Sequence, residues 1–440
     1  MTLIAPTRTL IVGSGGREHA LAWKLASEPG GNDVFVTPGN AGMADLPRVT
    51  VVPADRTMDP SLVDLARRLA VELVVVGPEA ELADGIVDAL AEAGIVAFGP
   101  TRAAARIETS KSFCREVAEA SGVPMALGRT FTSASEARAY ARRLVAEPGS
   151  AGVVVKADGL AGGKGVTVCR TAEEAVAAID GLNVADSVVV EQRLVGREAS
   201  VIAICDGRTA IALPAARDHK RALDDDHGPN TGGMGAYSPL PDVPDALLLD
   251  IVDRFHRPVL RELARRGSPF RGALYAGVML TADGPKLLEF NARFGDPETQ
   301  VILPRLGGAL GPFLLAAAKG DLHEALRQVG DDGRSLPTIP RATVGVVIAG
   351  GDYPAAPTIG ERITGLDDAR AAGALVFHSG TRRPADGSWE TNGGRIVTVV
   401  GEGSDIAAAK AAADAAADLI GWPGARRRHD IGADRAAVVA

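Results

Sequence analysis

Between Arg8 and Gly99, short apolar runs alternate with helical patterns, and this alternation restricts the fold more than any other feature of the 440-residue chain. Residues 9–12, 34–37, 73–76 and 95–98 read as strands, and residues 18–26 and 61–69 as helices. The repeating unit specifies a parallel, doubly wound sheet, which binds ligands beyond the carboxyl ends of its strands. The first strand ends in Gly13-Ser14-Gly15-Gly16-Arg17-Glu18-His19, where Glu18 takes the third glycine position of a G-x-G-x-x-G loop. The second runs into Thr37-Pro38-Gly39-Asn40 and carries no acid for a ribose, so a nicotinamide dinucleotide site is disfavoured. Glycine-rich backbone opening a helix still suits a phosphate, with Arg17 beside it. A merely tight turn would explain the glycines but neither Arg17 nor Glu18. Gly77-Pro78-Glu79 closes the third strand on the same sheet edge. There Glu79 either reaches a ribose hydroxyl or an amine, or caps the next helix.

Beyond a connecting helix that contains Lys111, the pattern changes. Residues 153–156 and 166–169 are strand-like, and the glycine-rich segment between them makes a hairpin. Gly163-Lys164 fails as a P-loop: Asp158 stands where the first glycine is required, Gly165 replaces Ser/Thr, and no helix follows. What remains is a flexible flap with bare amides at Gly162 and Gly163 and a cation at Lys164, able to fold over a polyphosphate. Lys156, on an otherwise apolar strand, must pair with an anion if buried, or else face water at an edge. A third strand, 187–190, enters a hinge at Glu191 that can offer backbone groups to an adenine edge, with Glu198 reaching the ribose. Residues 228–236 hold so many glycines that a loop pressed against a ligand or another backbone is expected there.

Residues 286–291 read as a strand in which Leu288 and Phe290 enter the core while Glu289 and Asn291 share the opposite face. A carboxylate beside an amide carbonyl suits a hard cation such as Mg²⁺, and Arg293, two residues on, can meet a phosphate. An isolated E-x-N would equally be a wet edge strand; the lysine-bearing hairpin and the hinge upstream favour the metal. Strands at 343–349, 374–378 and 395–399, a turn at Asn392-Gly393 and an Ala-rich helix over 406–420 form a last, small α+β unit. It shows no metal or nucleophile cluster, and its expected part is to close the substrate cleft.

The formal charge of −8 argues against a general nucleic-acid binder, though not against a phosphorylated small substrate. Cys114, Cys169 and Cys205 are widely spaced and lack C-x-x-C or histidine companions. Buried thiols in a reducing compartment are expected rather than disulfides or a zinc site. No signal-peptide pattern precedes the first strand, and no apolar run reaches membrane-spanning length, so a soluble cytoplasmic protein without a membrane partner is expected.

Hairpin lysines, hinge and Glu289-x-Asn291, in this order, resemble the ATP-grasp superfamily of carboxylate-amine ligases. Within it, residues 15–20 (GGREHA), 38–42 (PGNAG), 76–79 (VGPE), 156–161 (KADGLA), 218–221 (DHKR), 228–236, 293–300 and 391–395 (TNGGR) resemble the phosphoribosylamine-glycine ligase family, also called glycinamide ribonucleotide synthetases. The resemblance covers nearly the whole chain. It implies an ATP-grasp fold with an N-terminal Rossmann-like substrate domain over 1–105, an ATP-grasp domain over 106–330 with its flap near 125–195, and a C-terminal α+β domain over 331–440. It further implies ATP-driven ligation of glycine to 5-phosphoribosylamine through glycyl phosphate, with ATP and Mg²⁺ (or Mn²⁺) as cofactors. A stand-alone monomer with small-molecule partners only is expected.

Carried over residue by residue, the resemblance gives Glu289 and Asn291 to the metal and Arg293 and Lys156 to catalysis. Lys111, Lys156, Gly162, Gly163, Lys164, Glu191, Leu194 and Glu198 go to ATP. Gly15, Gly16, Arg17 and Glu79 go to phosphoribosylamine, Asp218, Lys220 and Asp296 to glycine, and Glu18, Asn40 and Pro78 to substrate binding without a choice between the two. Gln192, Arg193 and Arg197 depart from the family's pattern. Backbone contacts to adenine survive such changes, but no side-chain role is carried over to these three positions.

Overall fold

The computed structural model describes residues 3–53, 61–159, 165–182, 187–329 and 334–433. Its first sheet is the expected parallel one. Strands Val49–Val51, Asp33–Pro38, Arg8–Gly13, Leu73–Val76 and Ala97–Phe98 lie side by side in that order, every neighbouring pair parallel. Val49–Val51 escapes the sequence pattern because three residues are too few to show an alternation. At the other edge only Ala97–Phe98 of the expected 95–98 joins the ladder. Leu10 and Val12 join Val74, Val76, Leu62 and Leu65 in one apolar cluster, whereas Ile11 joins Leu21, Leu25, Val34 and Val36 in another. Burial on both faces is what makes these strands read as uninterrupted apolar runs. The sheet order places Arg8–Gly13 between the strands that follow it on either side, so the loops after three strands collect at one crevice.

Helices Arg102–Thr109 and Lys111–Ala120 lead to two antiparallel four-stranded sheets. The first orders Gly128–Phe131, Val188–Gln192, Val153–Ala157 and Val166–Cys169. Its Val153, Val155, Val188 and Val190 pack with Tyr140, Leu144 and Ile179 of helices Ala134–Ala146 and Ala172–Asp180. Strand alternation therefore turns Lys156 to the other face. Glu191, expected at a hinge, is instead still in the strand; the connection falls at 193–196. The second sheet orders Ala210–Ala212, Arg197–Asp206, Arg271–Thr281 and Gly284–Asn291.

The last large sheet corrects the expected irregularity of residues 228–236. His227–Asn230 pairs with Arg221–Leu223 in a small hairpin, and Gly235–Ser238 is a strand. The latter lies between Arg217–Asp218 and Ala342–Ala349, followed by Arg395–Gly403 and Leu375–His378. Glycines here serve close backbone contact inside a sheet. A Cβ on Gly401 would lie 2.3 Å from the Ala413 nitrogen, so the Ala-rich helix Ile406–Ala417 rests directly on its strand. Asn392 and Gly393, expected as a turn, end the strand Trp389–Gly393, which pairs with Thr358–Ile363. Cys114, Cys169 and Cys205 are free and buried. Among the described residues no helix is long and apolar enough to cross a membrane.

Two buried histidines, His19 and His256, and the half-buried His219 make acid stability predictable. Burial, assisted by Arg370, pushes His19 down to about 3; burial, assisted by Arg428, pushes His219 to about 4; and burial pushes His256 to about 4. Each stays neutral in the fold while the unfolded chain takes up a proton below its ordinary value near 6.5. Stability is therefore expected to fall as pH drops from about 6.5 toward about 4, by about 1.4 kcal/mol per pH unit for each group. Denaturant midpoints at pH 7 and pH 5 test this, with His256→Asn expected to flatten the slope. An unchanged slope in that variant removes His256 from the account.

Candidate active site

The site is built up from the strand Gly284–Asn291. Leu287 and Phe290 are the residues that enter the core, 2 % and 0 % exposed, rather than Leu288 and Phe290. The cause is a β-bulge: Glu289 pairs with Gly277 and Leu287 with Val278, so Leu288 is the extra residue. Its carbonyl accepts from Lys156 Nζ at 2.9 Å, which stitches the hairpin sheet to the sheet that contains Gly284–Asn291, the floor sheet of the site. Beyond the bulge, alternation keeps Glu289 and Asn291 on one face. Lys111, the first residue of its helix, donates to Glu289 Oε2 at 2.8 Å. Burial would raise the Glu289 carboxyl, but Lys111, Lys220 and Lys156 outweigh it and hold the group well below the usual carboxylate range.

Lys156 is buried and paired, as its apolar strand requires: its ammonium lies 2.5 Å from Glu191 Oε1. The other oxygen of Glu191 lies 3.3 Å from Arg115, which also donates to the Ala126 carbonyl at 3.0 Å. Sequence reading missed Arg115, because an arginine inside an amphipathic helix carries no local sign of its partner. Glu198 meets Lys220 at 3.1 Å, and Leu194 lies half-buried in the 193–196 connection. Gly162, Gly163 and Lys164 lie outside the described residues. Of the departing residues, Gln192 donates its backbone N–H to Leu127, Arg193 donates to the Ala151 carbonyl, and Arg197 pairs with Asp242.

At the crevice of the parallel sheet, Arg293 lies 3.3 Å from Glu79 and 3.4 Å from Glu108. Glu108, another residue missed in the sequence, comes from the helix Arg102–Thr109 and accepts from the Ala292 N–H at 2.7 Å. Burial drives its carboxyl up in spite of Arg293. Glu79 is held low, because Arg293 and Arg17 outweigh its burial. It is the first residue of a short helix whose N-cap is Pro78. Arg17 donates to the Phe294 carbonyl at 3.1 Å and pairs with Glu18 at 2.5 Å. Glu18 is turned inward: its carboxylate also accepts from Gly15 N–H, so this side chain shapes the loop. Asn40 is likewise engaged within the protein, donating to the carbonyls of Ser14 and His378.

The third cluster joins the floor sheet to the C-terminal sheet. Arg395 donates to Asp296 Oδ2 and to the Asp296 carbonyl, both at 2.9 Å, and to the Gly232 carbonyl at 2.7 Å. Gln300 donates to the remaining oxygen of Asp296 at 2.7 Å. A Cβ on Gly16 would stand 2.7 Å from Gln300 Nε2 and 2.8 Å from Ser379 Oγ, so a larger residue at this junction would have to push both side chains aside. Asp296 stays ionised, because Arg395 and Arg17 overcome its burial. Nearby, Glu298 accepts from Ser200 Oγ at 2.9 Å, and that hydroxyl also contacts the Tyr275 hydroxyl. Burial and the neighbouring Glu298 push the Asp218 carboxyl well above its ordinary range. Arg395 and Glu298 lie inside sequence segments that stood out as motifs. Their placement at the site, however, depends on strand pairing between distant parts of the chain.

The arrangement can neutralise a polyphosphate, hold a hard cation by oxygen donors and seat a small zwitterion between fixed charges. Three family profiles tile the chain. These are the phosphoribosylglycinamide synthetase N domain over residues 7–108, the ATP-grasp (A) domain over 109–299 and the C domain over 343–434. A phosphoribosylamine–glycine ligase of Rhodopirellula baltica is 46% identical over 98% of this chain and 98% of its own. One from Ralstonia nicotianae is 46% identical over 97% of this chain and 98% of its own. The crystal structure of a phosphoribosylamine–glycine ligase from Thermotoga maritima matches with a TM-score of 0.77 at 32% identity, covering 96% of this chain and 99% of that one. The chain belongs to the phosphoribosylglycinamide synthetase family of ATP-grasp ligases.

Proposed function

We propose that the protein ligates glycine to 5-phosphoribosylamine at the expense of ATP, giving glycinamide ribonucleotide, ADP and phosphate in de novo purine biosynthesis. The observation that carries this reading is the contact of Lys111 with Glu289, inside a positive field to which Lys220 and Lys156 add, with Arg293 two residues beyond Asn291. A carboxylate does not accept an amine at neutral pH, because its oxygen is a poor leaving group. Transfer of the γ-phosphoryl group to the glycine carboxylate forms glycyl phosphate, and the amine then displaces phosphate. Such transfer needs positioning and charge neutralisation more than covalent help from the protein.

Lys111 and Lys156 neutralise the phosphates, Glu198 takes the ribose and the backbone around Glu191 and Leu194 takes the adenine. Arg293 stabilises the charge of the acyl phosphate as it forms. Glu289 and Asn291 fit Mg²⁺ or Mn²⁺, since one is an ionised carboxylate and the other offers an amide carbonyl from the same face. Such an ion, held by Glu289 and Asn291, would supply charge neutralisation to the nucleotide phosphates. Gly15, Gly16, Arg17 and Glu79 line the phosphoribosylamine side, and Asp218, Lys220 and Asp296 the glycine side. Glu18, Asn40 and Pro78 set the shape of those loops.

The same reading divides the chain into units over 1–105, 106–330 and 331–440, supported by the separate sheets. Strands Arg217–Asp218 and Gly235–Ser238 pass from the second unit into the sheet of the third. Buried free thiols support a reducing, cytoplasmic setting. ADP release with Mg-ATP, supplying glycine and freshly generated phosphoribosylamine singly and together, tests the function. Turnover is expected only with both; release that needs one alone overturns the ligase reading.

A further inference from the structure

The acid of the proposed metal site is already held by a lysine. Lys111 Nζ donates to Glu289 Oε2 at 2.8 Å, and the two side chains are 16% and 25% exposed, so this is no freely solvated surface pair. Lys111 is also firmly placed. The preceding Ser110 caps its helix by accepting from the Phe113 N–H at 3.1 Å. Asp158 in turn accepts from the Ser112 N–H at 3.3 Å and from Ser110 Oγ at 3.4 Å. Lys156 is engaged differently, shared between Glu191 and the Leu288 carbonyl.

Among the described residues, no group of three or more His, Cys, Asp and Glu side chains is placed to hold a metal ion. Glu289 and Asn291 offer two oxygens, whereas Mg²⁺ demands about six ligands and dehydrates reluctantly. A bare divalent cation would also have to displace an ammonium that already neutralises the carboxylate. Nucleotide phosphates change both conditions: they bring further oxygens to the cation and a new anion to Lys111.

We propose that Lys111 is the resident counter-ion of the metal site, released from Glu289 to phosphate only when a nucleotide arrives, so that divalent metal and nucleotide bind as one coupled event. The inference rests on the reading of Glu289 as a metal ligand. By linkage, whatever Lys111 takes from the affinity for metal alone is returned as mutual reinforcement between metal and nucleotide.

Mn²⁺ binding to the full chain, followed by electron paramagnetic resonance without nucleotide and with ADP, tests it. Lys111→Met is expected to bind Mn²⁺ alone about 10-fold more tightly than the parent protein, within the usual range of coupling between sites. Lys111→Arg is expected to restore weak binding, and Lys111→Met/Glu289→Gln to abolish the gain. ADP is expected to strengthen Mn²⁺ binding more in the parent than in Lys111→Met. Equal Mn²⁺ affinity in the parent and in Lys111→Met overturns the proposal. The Glu289→Gln variant separates the two levels. If it binds Mn²⁺ with ADP as the parent does, the reading of Glu289 as a ligand fails and the inference with it. If that binding is lost while Lys111→Met gains nothing, the inference alone fails.

Discussion

Glu289→Gln is expected to keep the fold and to lose about 10³-fold or more in turnover, the scale on which transition-state charge stabilisation acts. Glutamine preserves the shape of the side chain, and the strand is anchored through Leu287 and Phe290, which the change leaves untouched. What disappears is the negative charge that Lys111, Lys220 and Lys156 together hold ionised. Lys111 loses its partner in a largely buried pair, so a measurable fall in melting temperature is expected without loss of the fold. ADP release at saturating Mg²⁺, measured beside a thermal melt, decides the matter. Near-normal turnover would remove Glu289 as an essential ligand, and a collapsed melt would make the kinetic result uninformative about charge.

Arg293→Met is expected to cost both activity and stability, and the two losses should separate. Its guanidinium lies between Glu79 and Glu108, and the Glu108 side chain is only 4% exposed. Removing the arginine leaves that carboxylate buried without its counter-charge, a defect worth about 3–5 kcal/mol when a buried pair is broken. Burial already raises the Glu108 carboxyl, and Arg293 is the main influence opposing that rise. In the variant the group moves up further. A carboxyl raised in the fold costs most at high pH, where the unfolded chain is fully ionised, so the deficit should be larger at pH 8 than at pH 5.

Arg293→Met/Glu108→Gln should recover most of the stability, because the uncharged side chain can still accept from the Ala292 N–H. It should remain inactive if the guanidinium acts on the phosphoryl group. Recovered ADP release in the double variant would assign Arg293 to structure alone.

Much of the architecture was legible along the chain. Four of the five parallel strands rest on short apolar runs, and the hairpin around Lys156 and Glu289-x-Asn291 on alternation and short motifs, none of which needs knowledge of distant residues. Even Lys156 was legible in part: an ammonium on an apolar strand demanded an anion, and Glu191 met the demand at 2.5 Å. Legibility failed where one extra residue or one distant strand intervened. The bulge at Leu288 transferred the core position to Leu287, and no propensity marks a bulge that exists only through its pairing with Gly277 and Val278. Glycine-rich residues 228–236 suggested a loop because glycine disfavours isolated strands. Pairing with Ala342–Ala349 made Gly235–Ser238 a strand all the same.

Local order along the chain was thus enough to set most of the elements and the chemical types gathered for ATP-driven ligation, but not the glycine-rich segments 228–236 and 392–393, which pairing drew in whole or in part into strands. Which charge meets which was decided only in three dimensions. Lys111 and Glu289 are 178 residues apart, Arg17 and Phe294 are 277 apart, and Asp296 and Arg395 are 99 apart. A period of two or 3.6 residues reports which face a side chain takes, but it holds no term for the partner across the cleft. Sheet order and register supply that term, and they bring a lysine from a helix start onto the one acid whose charge the proposed metal site requires.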